Sequence, residues 1–335
     1  MKKVYCVGLL VCDIPLRPVS PEIFTMDRCD IEMPVWNVGG DAANVAVALS
    51  KLGVDTVFSG LKGKDMYGEF LAKRLTEAGV DTRGLKEHPV LGTGVTHILI
   101  EPGGERHFMP CKEKINDALD YSHLSEDLIA ESDIVFLGSC MSLKAMDNGG
   151  TAELFRKAKS LGKVTITDFG ANIVMRGDYW LKQYDPVLRN CDILMPSLGE
   201  ARALTGKQEL SEIRETLSVY GIKTLIVKMG EQGCYLTDFK DECIIPTFRE
   251  FKAVDTTGAG DSFVAGFIRG IMEGWTNEAA AVFASCVASH NITKVGATAG
   301  VPDFDTAFGY VMNARSRPEF SGFLSQINLA PARDY

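Results

Sequence analysis

The residues best suited to chemistry form one short run, 255–261, in the C-terminal half of the sequence. The run reads Asp255-Thr256-Thr257-Gly258-Ala259-Gly260-Asp261. Glycines on both sides of one small residue, followed by an apolar helical pattern, predict a glycine-rich turn that leads into a helix. The N–H groups of such a turn and the positive end of the helix form an anion site. Asp261, in the first helical turn, would be placed to take the proton of a hydroxyl whose oxygen attacks phosphorus.

A second glycine motif, at 39–46, also precedes a helical pattern. It reads Gly39-Gly40-Asp41-Ala42-Ala43-Asn44-Val45-Ala46. Glycines let the backbone approach a ligand closely, and Asn44 offers both a hydrogen-bond donor and an acceptor. Each motif also has a plainer explanation, a capped helix after a loop. That explanation is preferred for 39–46 taken alone, whereas the more restrictive run at 255–261 favours the functional interpretation.

Together the two motifs resemble the signatures of the ribokinase-like (PfkB) carbohydrate kinases. The run 255–261 is similar to the C-terminal signature of that family, and 39–46 is similar to its N-terminal signature Gly-Gly-x-x-x-Asn-x-Ala. The resemblance extends over nearly the whole chain. It implies an ATP-dependent kinase in which Asp261 is the general base. Charge on the transferring phosphoryl group would be stabilised by the amides of Gly258, Ala259 and Gly260.

The resemblance also implies a set of sugar-binding residues. Asp13, just after the first predicted strand, lies where the family has an aspartate that accepts hydrogen bonds from sugar hydroxyls. Gly39, Gly40 and Asn44 would complete the sugar site. Arg106 belongs to a stretch similar to the lid hairpin of the family and would reach the sugar from there. Without the resemblance, Asp13 can equally be a strand-ending turn residue and Arg106 part of an ordinary strand face.

A nucleotide site is implied by the stretch 228–233, Lys-Met-Gly-Glu-Gln-Gly, which resembles the Lys-x-Gly-x-x-Gly turn of the family. ATP phosphates would lie near Lys228, Gly230 and Gly233, with Thr256 close to them. A strand followed by a glycine hairpin explains the same stretch equally well.

Two stretches depart from the family pattern. The stretch 195–200 resembles an Asn-x-x-Glu motif, but Ser197 stands where asparagine is usual. Glu200 would still orient water around Mg²⁺. The stretch 168–172, Asp-Phe-Gly-Ala-Asn, stands where relatives have a shorter Asp-Pro-Asn, so sugar contacts are not assigned there.

A monovalent cation often lies beside the anion hole in this family. Asp255 and Thr257 match the first of the two loops that hold it, and 296–297 matches the second. A serine that is common a few residues later is Gly300 here. Dependence on K⁺ is therefore left open by the sequence.

Short apolar runs alternate with helical patterns along most of the chain. Strands are predicted at Val4–Val11, Thr56–Ser59, Ile134–Leu137, Lys163–Thr167, Cys191–Met195 and Thr224–Val227. Helices are predicted at Ala42–Leu52, Gly68–Ala78, Thr151–Leu161, Ser211–Tyr220, Gly260–Met272 and Glu278–Ile292. Such alternation predicts an α/β fold of three layers, α/β/α, with a mostly parallel central sheet.

Two stretches break the alternation and predict a small β-sheet lid. The stretch 13–36 is rich in proline, and 94–111 alternates around a Pro-Gly-Gly turn, which predicts a hairpin. We expect them to form a small antiparallel sheet. The predicted division is a large nucleotide- and substrate-binding domain of 1–12, 37–88 and 112–335, with a lid of 13–36 and 89–111.

The composition limits the class of protein. The 335 residues have a formal charge of −9 and 46% hydrophobic content, which excludes disorder, collagen and coiled coil. An acidic chain without a dense Lys/Arg block is a poor candidate for nucleic-acid or membrane binding. Nine dispersed cysteines argue against a disulfide framework, and no apolar run reaches the ~18 residues of a membrane helix. A cytoplasmic protein is expected.

These observations predict ATP-dependent phosphorylation of a hydroxyl on a small sugar, similar to ribose, fructose or a ketogluconate, with Mg²⁺. Two alternatives stay open. One is a nucleoside kinase, because the resembling family includes both kinds of enzyme. The other is a catalytically silent regulator that binds a sugar or a nucleotide, which the complete 255–261 run argues against. A homodimer formed through the lid is also expected, because an exposed sheet face favours burial.

Overall fold

The structure, a computed structural model, describes residues 2–111, 115–170 and 177–324. Thirteen strands form within these residues: β1 (Lys3–Val7), β2 (Val11–Leu16), β3 (Asn37–Gly39), β4 (Asp55–Lys62), β5 (Asp81–Glu87), β6 (Gly94–Ile100), β7 (Arg106–Pro110), β8 (Ile134–Cys140), β9 (Val164–Phe169), β10 (Ile193–Leu194), β11 (Thr224–Lys228), β12 (Cys234–Thr237) and β13 (Glu242–Ile245).

Eleven α-helices are found in the same described residues: α1 (Asp41–Lys51), α2 (Met66–Glu77), α3 (Glu126–Glu131), α4 (Thr151–Ser160), α5 (Asp178–Leu188), α6 (Leu198–Thr205), α7 (Leu210–Leu217), α8 (Ala259–Met272), α9 (Asn277–Asn291), α10 (Phe304–Ala314) and α11 (Pro318–Leu324). None of these helices has both the length and the apolar character that crossing a membrane requires.

Nine strands form one large sheet in the order β13-β12-β11-β10-β9-β8-β1-β4-β5. Neighbouring strands are parallel except at β11–β12 and β12–β13. Both faces are buried: Val4 and Cys6 of β1 enter one hydrophobic core, and Tyr5 and Val7 enter the other. Helices pack on each face, so the predicted three-layer α/β/α fold with a mostly parallel sheet is confirmed.

The remaining strands form the small sheet, in the order β3-β2-β6-β7. The predicted hairpin is confirmed as β6–β7, which is antiparallel. The expectation of a wholly antiparallel sheet is wrong, because β2 and β6 are parallel. The reason is topological: β1 and β5 run in the same direction in the large sheet, and β2 and β6 follow them along the chain.

The small sheet also changes two predicted boundaries. The run Val4–Val11 is divided between β1 and β2, since the chain leaves the large sheet after Val7. The small sheet includes residues 11–12 and 37–39, which the predicted division placed with the large domain. The division into a large domain and a lid stays a prediction, and below we use the neutral term small sheet.

Candidate active site

The glycine-rich run enters α8 as the sequence predicts. Gly258 precedes the helix with φ 70°, a left-handed conformation that favours glycine. A Cβ atom at this position would overlap the carbonyl oxygen of Ala297, so the two loops lie against each other. Only a residue without a side chain satisfies both conditions. The N–H groups that follow, from Ala259 and Gly260, are at the positive end of a 14-residue helix.

Asp261 joins the two glycine motifs in space. Its Oδ2 atom accepts a hydrogen bond of 2.8 Å from Nδ2 of Asn44, on α1. Burial, with the negative charge of Asp41 as the next cause, raises the pKa of Asp261 to about 7. Oδ1 of Asn44 is a buried acceptor that receives no hydrogen bond from any described residue. The site therefore contains a carboxylate that takes up and releases a proton near pH 7 and, next to it, a buried acceptor without a hydrogen-bond donor among the described residues.

Asp41 belongs to the second glycine motif, and no role was predicted for it. Its Oδ1 atom accepts the N–H of Ala42 at 2.7 Å and also the hydroxyl of Ser139. Ser139, near the carboxyl end of β8, has a left-handed conformation, φ 58°, which is uncommon for a residue with a side chain. Burial raises the pKa of Asp41. Its position in the Gly-Gly-Asp motif was the available sign of a role.

Lys228 and Asp168 form a buried ion pair at the carboxyl ends of β11 and β9. Burial alone would lower the pKa of Lys228, but the charges of Asp168 and Glu200 outweigh it and raise that pKa. The ammonium group also lies beside the glycine turn, 3.3 Å from the point where a Cβ of Gly260 would be. The ammonium of Lys228 thus lies between the glycine-rich turn before α8, here called the anion loop, and the carboxylates of Asp168 and Glu200. The adjoining Ala171 and Asn172 lie outside the described residues.

A cavity of about 980 Å³ opens from this point, large enough for a nucleotide. Ionisable side chains line part of its wall, among them Lys228, Glu200 and Asp261. Apolar side chains, among them Phe251 and Ile292, also line it. The cavity wall also contains the predicted nucleotide-site residues Thr256, Gly230 and Gly233 and the anion-hole residues Ala259 and Gly260.

Glu200 is part of a helix cap. Ser197 precedes α6, its hydroxyl accepts the N–H of Glu200 at 3.4 Å, and Oε2 of Glu200 accepts the N–H of Ser197 at 2.7 Å. This capping box explains why serine is suitable where asparagine is usual. The spacing Ser-x-x-Glu is the sequence signature of a capping box.

Carboxylates in the wall of the cavity suit Mg²⁺. Glu200, Asp41 and Asp168 all line it. Mg²⁺ prefers oxygen ligands and usually takes one or two carboxylates together with water and substrate phosphates. Among the described residues no cluster of side chains forms a complete metal cage. The residues therefore fit an ion that takes most of its ligands from ATP and water.

Asp13 lies on β2, opposite Asn37 of β3. Its carboxylate rests on Gly39, where a Cβ atom would overlap both carboxylate oxygens. Burial raises the pKa of Asp13 to about 7, and no described residue donates a hydrogen bond to it. Gly40, with φ 96°, passes equally close to the backbone of Leu9. This end of the site therefore offers acceptors without donors.

Arg106 does not lie beside these groups. Its guanidinium forms an ion pair with Asp255 and a hydrogen bond with the hydroxyl of Thr257. Asp255 also accepts the N–H groups of Thr257, at 2.7 Å, and Gly296, at 2.9 Å. Burial alone would raise the pKa of Asp255, but these donors hold it below its usual value.

A glycine loop that binds anions beside a buried carboxylate supplies two parts that phosphoryl transfer to a hydroxyl requires, stabilisation of negative charge and a base, and so fits a kinase. Residues 1–303 match the pfkB family carbohydrate kinases, and the chain belongs to that family. It is a sugar phosphotransferase that binds ATP.

Individual relatives agree with this assignment. Probable fructokinase-5 of Arabidopsis thaliana is 32% identical over 236 residues, which cover 69% of this chain and 72% of that protein. A solved fructokinase from Xylella fastidiosa with bound ATP superposes with a TM-score of 0.80 at 21% identity and covers 93% of this chain and 98% of its own. A putative ribokinase II from E. coli, in complex with ATP and Mg²⁺, gives a TM-score of 0.80 at 22% identity and covers 93% and 100%.

The raised pKa of Asp261 predicts a pH dependence. A base must be deprotonated to act, so kcat/KM should rise about tenfold per pH unit below the pKa of about 7 and level off above it. Initial rates at low substrate, measured between pH 5 and pH 9 in buffers of constant ionic strength, test this. A profile that is flat down to pH 5 would contradict the assignment of a raised pKa to the base.

Proposed function

We propose that this kinase transfers the γ-phosphoryl group of ATP to a hydroxyl of a small neutral sugar such as fructose or ribose. The observation that carries the proposal is a pair of acceptors without described donors: Oδ1 of Asn44, whose Nδ2 bonds Asp261, and the carboxylate of Asp13. Hydroxyl groups of a sugar supply the donors that these acceptors lack. The names fructokinase and ribokinase among the relatives support the same class of substrate.

In the proposed reaction, Asn44 orients Asp261, whose free carboxylate oxygen removes the proton from the attacking hydroxyl. The amides of Gly258, Ala259 and Gly260 receive the negative charge on the transferring phosphoryl group. Lys228 adds a positive charge beside the same turn. Mg²⁺ bound near Glu200 would neutralise charge on the phosphate oxygens. The small sheet limits the access of water, which would otherwise convert transfer into ATP hydrolysis.

The charges around the proposed sugar site favour a neutral substrate over a sugar acid. Asp13, Asp41 and Asp261 are acidic, whereas Lys228 is already paired with Asp168 and Arg106 with Asp255. A substrate carboxylate placed there would face like charges. We therefore expect neutral sugars to be better substrates than a ketogluconate.

A coupled assay of ADP formation tests the proposed function. Fructose, ribose, a ketogluconate and a nucleoside are compared at equal concentration with ATP and Mg²⁺. Fastest turnover with a neutral sugar supports the proposal. Fastest turnover with the nucleoside would identify a nucleoside kinase, and failure of all of them to increase ADP formation would favour a regulator that only binds.

We also propose that two copies associate through the small sheet. Large apolar side chains are exposed on this part of the chain, among them Phe24 at 89%, Met33 at 87% and Phe108 at 58%. Phe108 lies on β7, which is an edge strand whose backbone groups are open to pairing. Sedimentation velocity should give a dimer that Phe108→Asp weakens. A wild-type protein that stays monomeric at micromolar concentrations would contradict this.

A further inference from the structure

The contact of Arg106 with the anion loop joins the two sheets of the molecule. Arg106 is the first residue of β7, whereas Asp255 and Thr257 precede α8 of the large unit. The side chains of Arg106 and Asp255 are only 20% and 8% exposed, so the pair is largely shielded from water. The small sheet therefore delivers a positive charge to the loop that forms the anion hole.

A second group, Asn291, completes the connection between the loops. It is fully buried at the end of α9. Its Nδ2 atom donates to the carbonyl of Ala297 at 2.8 Å and to the carbonyl of Thr257 at 3.3 Å. Its Oδ1 atom accepts the N–H of Gly300 at 3.1 Å. One amide side chain thus holds both loops that the family resemblance suggested for a monovalent cation.

These contacts leave poor ligands for such a cation. A potassium ion is bound by oxygen atoms with free lone pairs, and a cation next to those oxygens repels it. Both carboxylate oxygens of Asp255 already accept N–H donors, and Oδ1 also faces the guanidinium of Arg106. A cation in this position would be close to a like charge, which is unfavourable in a site shielded from solvent. The residues present do not fit K⁺.

We propose that Arg106 and Asn291 take the place of a bound monovalent cation in this enzyme and that Arg106 is a positioning residue for the anion hole. The inference rests on the proposed phosphoryl transfer at the 258–261 turn. Arg106 neutralises Asp255 and fixes the hydroxyl of Thr257, the residue just before Gly258. Arg106 belongs to the same small sheet as Asp13.

The experiment combines thermal unfolding with kinetics. The Tm of the intact enzyme and its initial rate with the best sugar are measured in KCl and in tetramethylammonium chloride of equal ionic strength. We expect wild type to show the same Tm in both salts and rates within about twofold. Arg106→Ala should lose about 10²-fold in kcat, because a displaced 255–258 loop no longer places its N–H donors on the transferring group, with a smaller change in KM. Since Asp255 is then uncompensated, this variant should gain a K⁺-specific rise in Tm.

Two further variants separate positioning from general damage. Arg106→Lys keeps the charge without the forked donors, so its kcat should lie between those of wild type and Arg106→Ala. Arg17→Ala is the matched control, because Arg17 pairs at 2.8 Å with Glu32, an exposed partner on the same part of the chain. It should leave kcat and Tm nearly unchanged.

Either of two results would overturn the inference: a K⁺-specific increase in the Tm or rate of wild type, or an Arg106→Ala variant with unchanged kcat and no response to K⁺. The Tm measurements need no substrate. They test the inference even if every sugar of the panel fails, and the two failures are therefore distinguishable.

Discussion

Asp261→Asn is expected to lower kcat by about 10³-fold or more while the affinity for ATP stays nearly unchanged. The amide oxygen of asparagine can still accept the 2.8 Å hydrogen bond from Asn44, so the geometry of the site is preserved. An amide cannot take the proton of the attacking hydroxyl, and a general base contributes roughly 10²–10⁴ in rate. The coupled ADP assay with the best sugar measures kcat, and isothermal titration calorimetry measures ATP binding.

Stability provides the check that this loss is chemical. The pKa of Asp261 is raised in the folded protein, so its ionisation costs stability that is lost as the pH rises from about 4 to about 7, and a neutral amide removes that cost. Asp261→Asn should therefore be at least as stable as wild type at pH 8. Asp65→Asn is the matched control: asparagine can still cap α2, but its amide nitrogen cannot accept the N–H of Thr93, so stability should fall by about 1 kcal/mol with little effect on kcat. Retention of more than about a tenth of wild-type kcat by Asp261→Asn would show that another group is the base.

The sequence was informative where a feature depends on neighbours along the chain. The turn before α8, the hairpin of β6 and β7 and the alternation of strands and helices all follow from short glycine patterns and periodicity. Gly258 illustrates the point, since both its left-handed conformation and its contact with Ala297 require the residue type that the motif shows.

Contacts between distant parts of the chain could not be predicted in the same way. The hydrogen bond between Asp41 and Ser139 forms because β1 lies between β4 and β8, an order that no local pattern encodes. The placement of Arg106 on Asp255 likewise depends on how the small sheet sits over the large one. In both cases the sequence shows the type of residue but not the residue that it contacts.

The same reasoning explains the parallel pairing of β2 and β6. Proline content and alternation indicated a separate sheet, but strand direction is inherited from the large sheet. The lengths of the connections do not reveal this direction, because β2 and β6 each follow the preceding strand after a short segment. The chemistry of the site was therefore more predictable than the geometry that connects the sugar side with the anion loop.

Lys228→Met is expected to reduce stability more than Asp261→Asn or Asp65→Asn. It would leave Asp168, whose side chain is 5% exposed, without the only cation paired with it among the described residues. Removing one partner of a buried ion pair costs about 3–5 kcal/mol, because the other charge stays buried and uncompensated. The positive charge beside the glycine turn would also be lost, which should reduce kcat by about 10²–10³-fold. Urea unfolding and the ADP assay measure the two effects.

A double substitution separates these two roles of Lys228. In Lys228→Met combined with Asp168→Asn, the buried carboxylate is gone together with its partner, so most of the lost stability should return. The rate should not return, because no positive charge faces the transferring phosphoryl group. Recovery of both would mean that Lys228 acts only by holding Asp168, whereas recovery of neither would mean that the pair does not determine local stability. Recovery of stability alone is the result expected if the ion pair holds a cation in place for the reaction.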